Sequence, residues 1–257
     1  MIKIIFFGNG PLADAALETL KPHFDIIFHA KTKADLDTVK TLKASHPDAF
    51  GILASYGVII KPDVLDLFEP TGILNIHPSL LPEYRGPSPI ETAILDGATD
   101  FSVSIMKLAK AMDAGPIYYQ TTLHDLPLKK SEIYHALATA GANWLVQNLP
   151  NLPTPTPQDD QKATYTKKLD KSMSMLDPDQ DTAEQTLRKI IAFQGFPKAK
   201  YIFHDITCLI LAAHLLEPGE TAPLILPCND GLLSIDLLQP ESKKPMDPKS
   251  FQNGYAK

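Results

Sequence analysis

The chain has 257 residues, of which 44% are hydrophobic and 21% are charged, as is ordinary for a globular protein. Its formal net charge is −6: residues 1–160 hold 12 Lys+Arg against 18 Asp+Glu, and residues 161–257 hold 12 of each. Only Arg85 and Arg188 supply the forked donors that suit phosphate best. These values argue against a protein that coats nucleic acid. No apolar run approaches the ~20 residues of a membrane span, so we expect no membrane association and a cytoplasmic location.

Apolar runs alternate with helical patterns through the first 150 residues. The runs predict strands buried on both faces at residues 2–7, 25–29, 49–54, 72–77 and 102–108. Apolar spacing near 3.6 predicts helices over residues 12–21, 36–44, 62–68, 87–96 and 131–148, the last capped by Ser131. Such alternation predicts an α/β domain over residues 1–149, with a mostly parallel sheet and helices on both faces.

A stretch rich in proline and polar residues follows this domain. Residues 150–165 include four prolines, which favour an extended, semi-rigid linker. After it the pattern predicts one helix over residues 182–193 and short strands at 199–204, 207–213, 223–226 and 232–238. Evenly spaced short strands indicate a small β-barrel, so we assign residues 166–257 to a second domain.

Two polar residues occur near the end of the fourth predicted strand. Asn75 and His77 are two positions apart, so their side chains share one face while Ile76 points to the other. Ligands of open α/β sheets collect beyond the carboxyl ends of the strands. An amide and an imidazole placed there can donate hydrogen bonds to an oxygen that gains negative charge. The alternative is that Asn75 caps the strand and His77 is a satisfied, partly buried histidine.

An aspartate follows the fifth predicted strand. Asp113, in Met-Asp-Ala-Gly-Pro-Ile, is expected at the same rim of the sheet as Asn75 and His77. A carboxylate there favours the imidazolium form of a histidine and can order a water for proton transfer. The alternative is an ordinary turn, since Asp and Gly are common in turns.

The segment Asn75-Ile-His-Pro-Ser-Leu-Leu-Pro82, with Met-Asp-Ala-Gly-Pro-Ile downstream, resembles the folate-dependent formyltransferases. The resemblance implies a Rossmann-like formyltransferase domain followed by an OB-like barrel. It also implies Asn75, His77 and Asp113 as the catalytic residues, and 10-formyltetrahydrofolate as the co-substrate. By the same resemblance, the folate site is lined by Ser79, Leu80, Leu81 and Pro82.

Further segments resemble those family members that formylate initiator methionyl-tRNA for translation initiation. They include the first strand with Gly8, the Arg85–Gly86 segment, and the closing segment with Lys243 and Lys244. This resemblance implies initiator methionyl-tRNA as the partner and acceptor. We accordingly predict substrate contacts from Gly8, Asn9, Arg85, Gly86, Lys243 and Lys244, and we expect a monomer.

Some features of the sequence leave other acceptors and functions open. Such family members usually carry a long basic loop after the second strand, where this chain has only residues 31–48. A small amine, such as an amino sugar, is therefore an alternative acceptor. Gly8-Asn-Gly-Pro-Leu-Ala13 also fits a dinucleotide-binding turn, which would indicate a reductase, and a barrel that only binds RNA is a third alternative. No histidine or cysteine spacing suits a metal, so we expect none.

Overall fold

The structure is a computed structural model that describes residues 1–255. It contains two compact units: Met1–Ile90 with Thr99–Lys167, and Glu91–Ala98 with the described residues from Lys168 onward. Residues 150–165, the stretch predicted to be a linker, belong to the first unit. Among the helices of residues 1–255, none is long and apolar enough to cross a membrane.

The first unit is built on a six-stranded sheet with the order β2-β1-β3-β4-β5-β6. The first four strands pair in parallel, and β5 and β6 are antiparallel to their neighbours. Their bounds are β1 Lys3–Phe7, β2 Asp25–Ala30, β3 Phe50–Leu53, β4 Ile73–His77, β5 Phe101–Lys107 and β6 Ile117–Leu123. The predicted α/β fold with a mostly parallel sheet is confirmed.

Helices cover both faces of this sheet. Their bounds are α1 Pro11–Leu20, α2 Leu36–Ser45, α3 Pro62–Leu65 and α5 Lys130–Asn148, whereas α4, Pro89–Leu95, has most of its residues in the second unit. α1 packs against α5, which lies on β4 and β5, and α2 packs beside β2. α1 and α3 begin at a proline, where the missing N–H leaves no hydrogen bond unmade.

Side chains along each strand point alternately to the two faces of the sheet, so the position of a residue decides which layer of helices it packs against. Ile5 and Phe7 of β1 pack in one cluster with Val39 of α2, and the Phe7 ring meets Phe68 edge-on. Ile73 of β4 belongs to the same cluster. Asn75 and His77 share the parity of Ile73 and therefore lie on that face. Ile76 faces α5 instead: a Cβ built on Gly141 would lie 2.8 Å from its Cγ2.

The structure differs from the predicted elements in four respects. The strand Ile117–Leu123, β6, was missed; it pairs antiparallel with β5, and β5 itself pairs antiparallel with β4. β2 is only partly buried, since it is an edge strand with a neighbour on one side. The prediction that Ser131 caps α5 was wrong: the helix begins at Lys130, with Lys129 in extended conformation before it.

Besides most of α4, the second unit contains two helices and an antiparallel four-stranded sheet. The sheet order is β7-β8-β10-β9. The bounds are α6 Ala183–Ala192, β7 Lys200–Phe203, β8 Ile206–Leu215, β9 Ile225–Pro227, β10 Leu232–Pro240 and α7 Pro248–Tyr255. Register shifts after Ile235 and Leu237 bend β10, as bulges do, and curl the sheet. This arrangement confirms the predicted small β-domain, whereas α7 was missed because eight residues give too short an apolar pattern.

Candidate active site

A cavity of about 220 Å³ opens at the carboxyl ends of the parallel strands in the first unit. Asn75 and His77 line it at the end of β4, as the strand pattern predicts, and Asp113 lines it from the loop after β5. A second cavity of about 350 Å³ shares Asn75 and Asp113 as lining residues. Asn75 and Asp113 therefore lie where the two adjoining cavities meet, with His77 beside them in the first, so the site can contact two different molecules at once.

The orientation of the His77 ring follows from its partners. Nε2 lies 3.2 Å from the Tyr84 carbonyl oxygen. A carbonyl only accepts hydrogen bonds, so Nε2 carries a hydrogen and donates it. Nδ1 then points to the Asp113 carboxylate, whose Oδ1 lies 3.8 Å away. Only 4% of His77 and 5% of Asn75 are exposed, so both polar groups reach solvent through the cavity alone.

Asp113 reaches this position by a different route from the one that the sequence predicts. If β5 ran parallel to β4, its carboxyl end would bring Asp113 to the rim directly. Because β5 is antiparallel, Lys107 pairs with Leu74, near the amino end of β4. The loop from residue 108 to 116 therefore folds back past β4. It brings the carboxylate to His77, and Oδ2 accepts a hydrogen bond of 2.8 Å from the Gly86 N–H.

Three non-glycine residues at this site have left-handed backbone conformations. The φ angles are +53° for Ser55, +55° for Tyr84 and +49° for Asp113. Such conformations cost energy in L-residues and are common at functional sites. Ser55 lines the first cavity, the Tyr84 carbonyl orients His77, and Asp113 supplies the carboxylate. Each strained residue thus contributes directly to the shape of the site.

The Gly86 N–H binds the Asp113 carboxylate at a point where the backbone has no room for a side chain on residue 86. Its φ is +118°, and a Cβ there would lie 2.7 Å from Thr166 Oγ1. The close approach lets the Gly86 N–H face Asp113 Oδ2. Arg85, the residue before it, is 2% exposed and donates to Gln158, Asp160 and Tyr165. The structure thus places both residues in the framework that holds Asp113.

The turn at Gly8 and Asn9 lies beside the site. A Cβ on Gly8, whose φ is +156°, would lie 2.0 Å from the Ala54 carbonyl oxygen, so the turn requires glycine. The Asn9 N–H donates to the Ser55 carbonyl at 3.1 Å, and its side-chain amide donates to the Lys31 carbonyl. Leu12, at the start of α1, lines the first cavity. The turn therefore supports the cavity wall through Ser55 and Leu12.

The four residues predicted to line a folate site lie in a turn after β4. Ser79 is buried, and its Oγ donates to the Glu83 carbonyl at 2.6 Å. The side chain of Leu80 is 40% exposed, and Leu81 is 2% exposed. Leu81 and Pro82 line a third cavity of about 400 Å³, together with Gln120 and Gln158. In this structure the turn thus faces a different cavity from the one that holds Asn75 and His77.

Comparison with known proteins identifies the family. A model described as formyl transferase matches residues 9–149, and one described as formyl transferase, C-terminal domain, matches residues 168–256. A curated methionyl-tRNA formyltransferase from Roseiflexus sp. (strain RS-1) is 35% identical over 261 residues, covering 95% of this chain and 78% of the relative.

The chain belongs to the formyl transferase family.

Solved structures of formyl transferases share the fold. The methionyl-tRNA formyltransferase from Clostridium thermocellum superimposes with a TM-score of 0.70 at 17% identity, covering 96% of this chain and 100% of that one. WlaRD, a sugar 3N-formyl transferase crystallised in the presence of dTDP and 5-N-formyl-THF, has a TM-score of 0.65 at 18% identity, with 95% and 99% covered. At these identities the likeness concerns the fold alone. The resemblance drawn from the Asn75–Pro82 motif is confirmed by the family match.

The cavities also contain residues that the sequence did not single out. Tyr56, Gly57 and the apolar run 58–60 follow β3 and line the second cavity, opposite Leu108 and Met112. Their place after a parallel strand was the signal that could have identified them. Tyr134 of α5 lines the first cavity. It is far from the motifs in sequence, and only the fold brings it there.

Lys243 and Lys244 belong to the second unit. They lie in the exposed turn after β10, where the Lys243 carbonyl accepts a hydrogen bond of 2.7 Å from the Gln239 side chain. Residues 241–245 are all exposed, so the two ammonium groups face solvent. Within residues 1–255 no group of three His, Cys, Asp or Glu side chains is arranged to hold a metal ion.

Proposed function

We infer that this formyl transferase moves the formyl group of 10-formyltetrahydrofolate onto the amino group of methionyl initiator tRNA. The observation that carries the inference is that Asn75, His77 and Asp113 converge on one cavity, and that Asn75 and Asp113 also line the second. The methionyl-tRNA formyltransferase from Roseiflexus, 35% identical over most of the chain, supports the choice of acceptor.

Asn75 and His77 would stabilise the charge that develops during transfer. When the amine nitrogen attacks the formyl carbon, the formyl oxygen becomes an oxyanion. The Asn75 amide and, in the imidazolium form, the Nδ1–H of His77 would be donors on one face of β4, and both side chains are almost fully buried. Preorganised donors of this kind act strongly in such a site. The Nε2–H bond to Tyr84 keeps the ring in place throughout.

Asp113 would move the proton that the reaction releases. The amine loses a proton when its new C–N bond forms, and the tetrahydrofolate nitrogen gains one when its bond to the formyl carbon breaks. The Asp113 carboxylate lies 3.8 Å from His77 and lines both cavities, so it can accept the first proton, directly or through water, and return it. Protons and charges then balance with no further reactant.

The second cavity suits the folate. Its lining includes Val58, Ile59 and Ile60 together with Leu108 and Met112. Apolar walls with a few polar groups are typical of sites for flat organic cofactors. The first cavity, with Leu12, Ser55 and Tyr134, then receives the aminoacyl group. We retain the turn Ser79–Pro82 as a proposed folate contact beyond these cavities, through the face that Leu81 and Pro82 present.

Contacts with the acceptor are proposed at two places. At the active site the turn of Gly8 and Asn9 and the segment Arg85–Gly86 would shape the pocket for the aminoacyl end. In the second unit the exposed ammonium groups of Lys243 and Lys244 would contact tRNA phosphates. We propose that the enzyme acts as a monomer in the cytoplasm, where initiator tRNA is charged. Light scattering on the purified protein tests the monomer.

The acceptor is tested by offering two amines separately. Purified enzyme is given 10-formyltetrahydrofolate with either methionyl initiator tRNA or a dTDP-linked amino sugar, and formylated product is quantified by mass spectrometry. We expect product from the tRNA alone. Product from the amino sugar alone would assign the same chemistry to a small-molecule acceptor.

A further inference from the structure

The loop that carries Asp113 has few hydrogen bonds of its own. The loop is closed by a hydrogen bond of 2.9 Å from the Lys107 N–H to the Pro116 carbonyl. Inside it, the Ala114 N–H donates to the Ala111 carbonyl at 3.3 Å. The Met112 side chain is 61% exposed, and Asp113 has a left-handed φ of +49°. A loop of this kind requires contacts from elsewhere to hold one conformation.

A single side chain from outside the loop supplies such contacts. The Gln158 Nε2 donates to the Asp113 carbonyl at 2.8 Å and to the Gly115 carbonyl at 2.7 Å. Both amide hydrogens are thus used on the backbone of the loop. Gln158 lies more than 40 residues beyond Asp113 in sequence, in the extended stretch after α5.

The other end of the same amide is fixed by Arg85. The Gln158 Oε1 accepts hydrogen bonds from Arg85 Nε at 3.0 Å and from Nη2 at 2.7 Å. A flipped amide would face two carbonyls with its oxygen and the guanidinium with its NH₂ group. Both contacts would be repulsive, so the orientation of the amide is determined by its partners.

These hydrogen bonds form a closed network around Asp113. The guanidinium of Arg85 holds Gln158, and Gln158 holds the Asp113 main chain. The N–H of Gly86, the next residue after Arg85, holds the Asp113 carboxylate at 2.8 Å. Carboxylate and main chain are therefore fixed by neighbouring parts of one segment, and this sets the 3.8 Å separation from His77.

We propose that Gln158 is a positioning residue for formyl transfer, which acts by holding the Asp113 carboxylate against His77 and the reacting amine. The inference rests on the proposed function for the acceptor used in the assay, but the positioning itself does not depend on which amine is formylated. A misplacement of about 1 Å in a catalytic group typically costs ~10²-fold in rate. Loss of the Gln158 contacts should therefore act on kcat rather than on KM.

The variant Gln158→Glu separates positioning from stability. A glutamate keeps the shape of the side chain and pairs with Arg85, so the segment remains attached. It lacks the two hydrogens that bind Asp113 and Gly115. Gln161→Glu is the matched control. Gln161 is exposed and lies three residues further along the chain, so the variant makes the same charge change without touching the loop.

Three measurements on the full chain test the proposal. We expect Gln158→Glu to stay folded, with a slightly lower melting temperature because its carboxylate repels the loop carbonyls, and to lower kcat roughly 10- to 100-fold, with KM changed less than about threefold. In the Asp113→Asn background it should cause little further loss, because it acts through Asp113. Amide hydrogen exchange of the peptide covering residues 108–116 should accelerate, and Gln161→Glu should match the wild type in all three.

Two results would overturn the proposal. One is a Gln158→Glu enzyme with wild-type kcat and wild-type exchange in the loop. The other is a loss of activity that adds fully to that of Asp113→Asn. If the wild-type enzyme forms no product from methionyl initiator tRNA, the proposed acceptor fails, while the exchange measurement still decides whether Gln158 holds the loop.

Discussion

Oδ1 of Asp113 lies 3.8 Å from Nδ1 of His77, beyond direct hydrogen-bond distance. The ring cannot turn away, because its Nε2 is held by the Tyr84 carbonyl. In the proposed mechanism, this gap leaves Nδ1 available to donate to the substrate oxygen instead of to the carboxylate. A histidine paired directly with Asp113 would be a weaker donor to the oxyanion.

The Asn75 amide is expected to contribute mainly in the transition state. Asn75→Ala should lower kcat about 10²–10³-fold, the usual cost of removing one oxyanion donor. Steady-state kinetics with methionyl initiator tRNA measure this, with folate affinity as the control. An Asn75→Ala enzyme with wild-type kcat would exclude Asn75 as a donor.

Asp113 can be changed in two ways that separate its charge from its hydrogen bond. Asp113→Asn keeps an oxygen that accepts from the Gly86 N–H but removes the charge beside His77. It should lose turnover and still bind folate, as measured by fluorescence titration. Asp113→Ala should also loosen the loop. If Asp113→Asn abolished folate binding while the protein stayed folded, the carboxylate would be a binding group.

Arg85 is expected to matter for stability. Its buried guanidinium bonds Gln158, Asp160 and Tyr165, and Arg85→Met would leave these partners unmatched. We expect the free energy of unfolding to fall by roughly 2–4 kcal/mol, measured by urea titration. Asp160→Asn is the control, because its side chain is 79% exposed and should contribute less than about 1 kcal/mol. If Arg85→Met and Asp160→Asn lowered the free energy of unfolding equally, the stabilisation would come from the Arg85–Asp160 ion pair.

The second unit contains a pH-dependent ion cluster. Hydrogen bonds from His214 to Asp236 and then to Glu220, each 2.9 Å long, raise the pKa of His214 above its ordinary value. Because the pKa is raised in the folded state, its stabilisation is complete below the pKa of the unfolded chain and is lost as pH rises through the folded value. The melting temperature of the wild type should therefore fall with rising pH relative to that of His214→Gln. If the melting temperatures of the two proteins changed with pH in the same way, the prediction would be wrong.

The sequence was informative wherever residues adjacent in the chain act together. Asn75 and His77 share a face because of the two-residue period of a strand, and the motif that contains them identified the family. The parallel part of the sheet followed from strand–helix alternation. These features depend on local periodicity, which a sequence displays directly.

Features that depend on contacts between distant segments could not be read in this way. β5 runs antiparallel to β4, β6 returns beside β5, and Asp113 arrives through a loop that folds back past β4. Gln158 lies in a stretch that looks like a linker, yet it bonds Arg85 and Asp113. No periodicity marks a hydrogen bond between residues 45 or more positions apart.

The most direct test offers charged initiator and elongator methionyl-tRNAs separately, with 10-formyltetrahydrofolate as donor. We expect the wild-type enzyme to formylate the initiator and to discriminate against the elongator, with Asn75→Ala slower by the factor given above. No transfer to either tRNA, from a folded protein that binds folate, would contradict methionyl initiator tRNA as the acceptor.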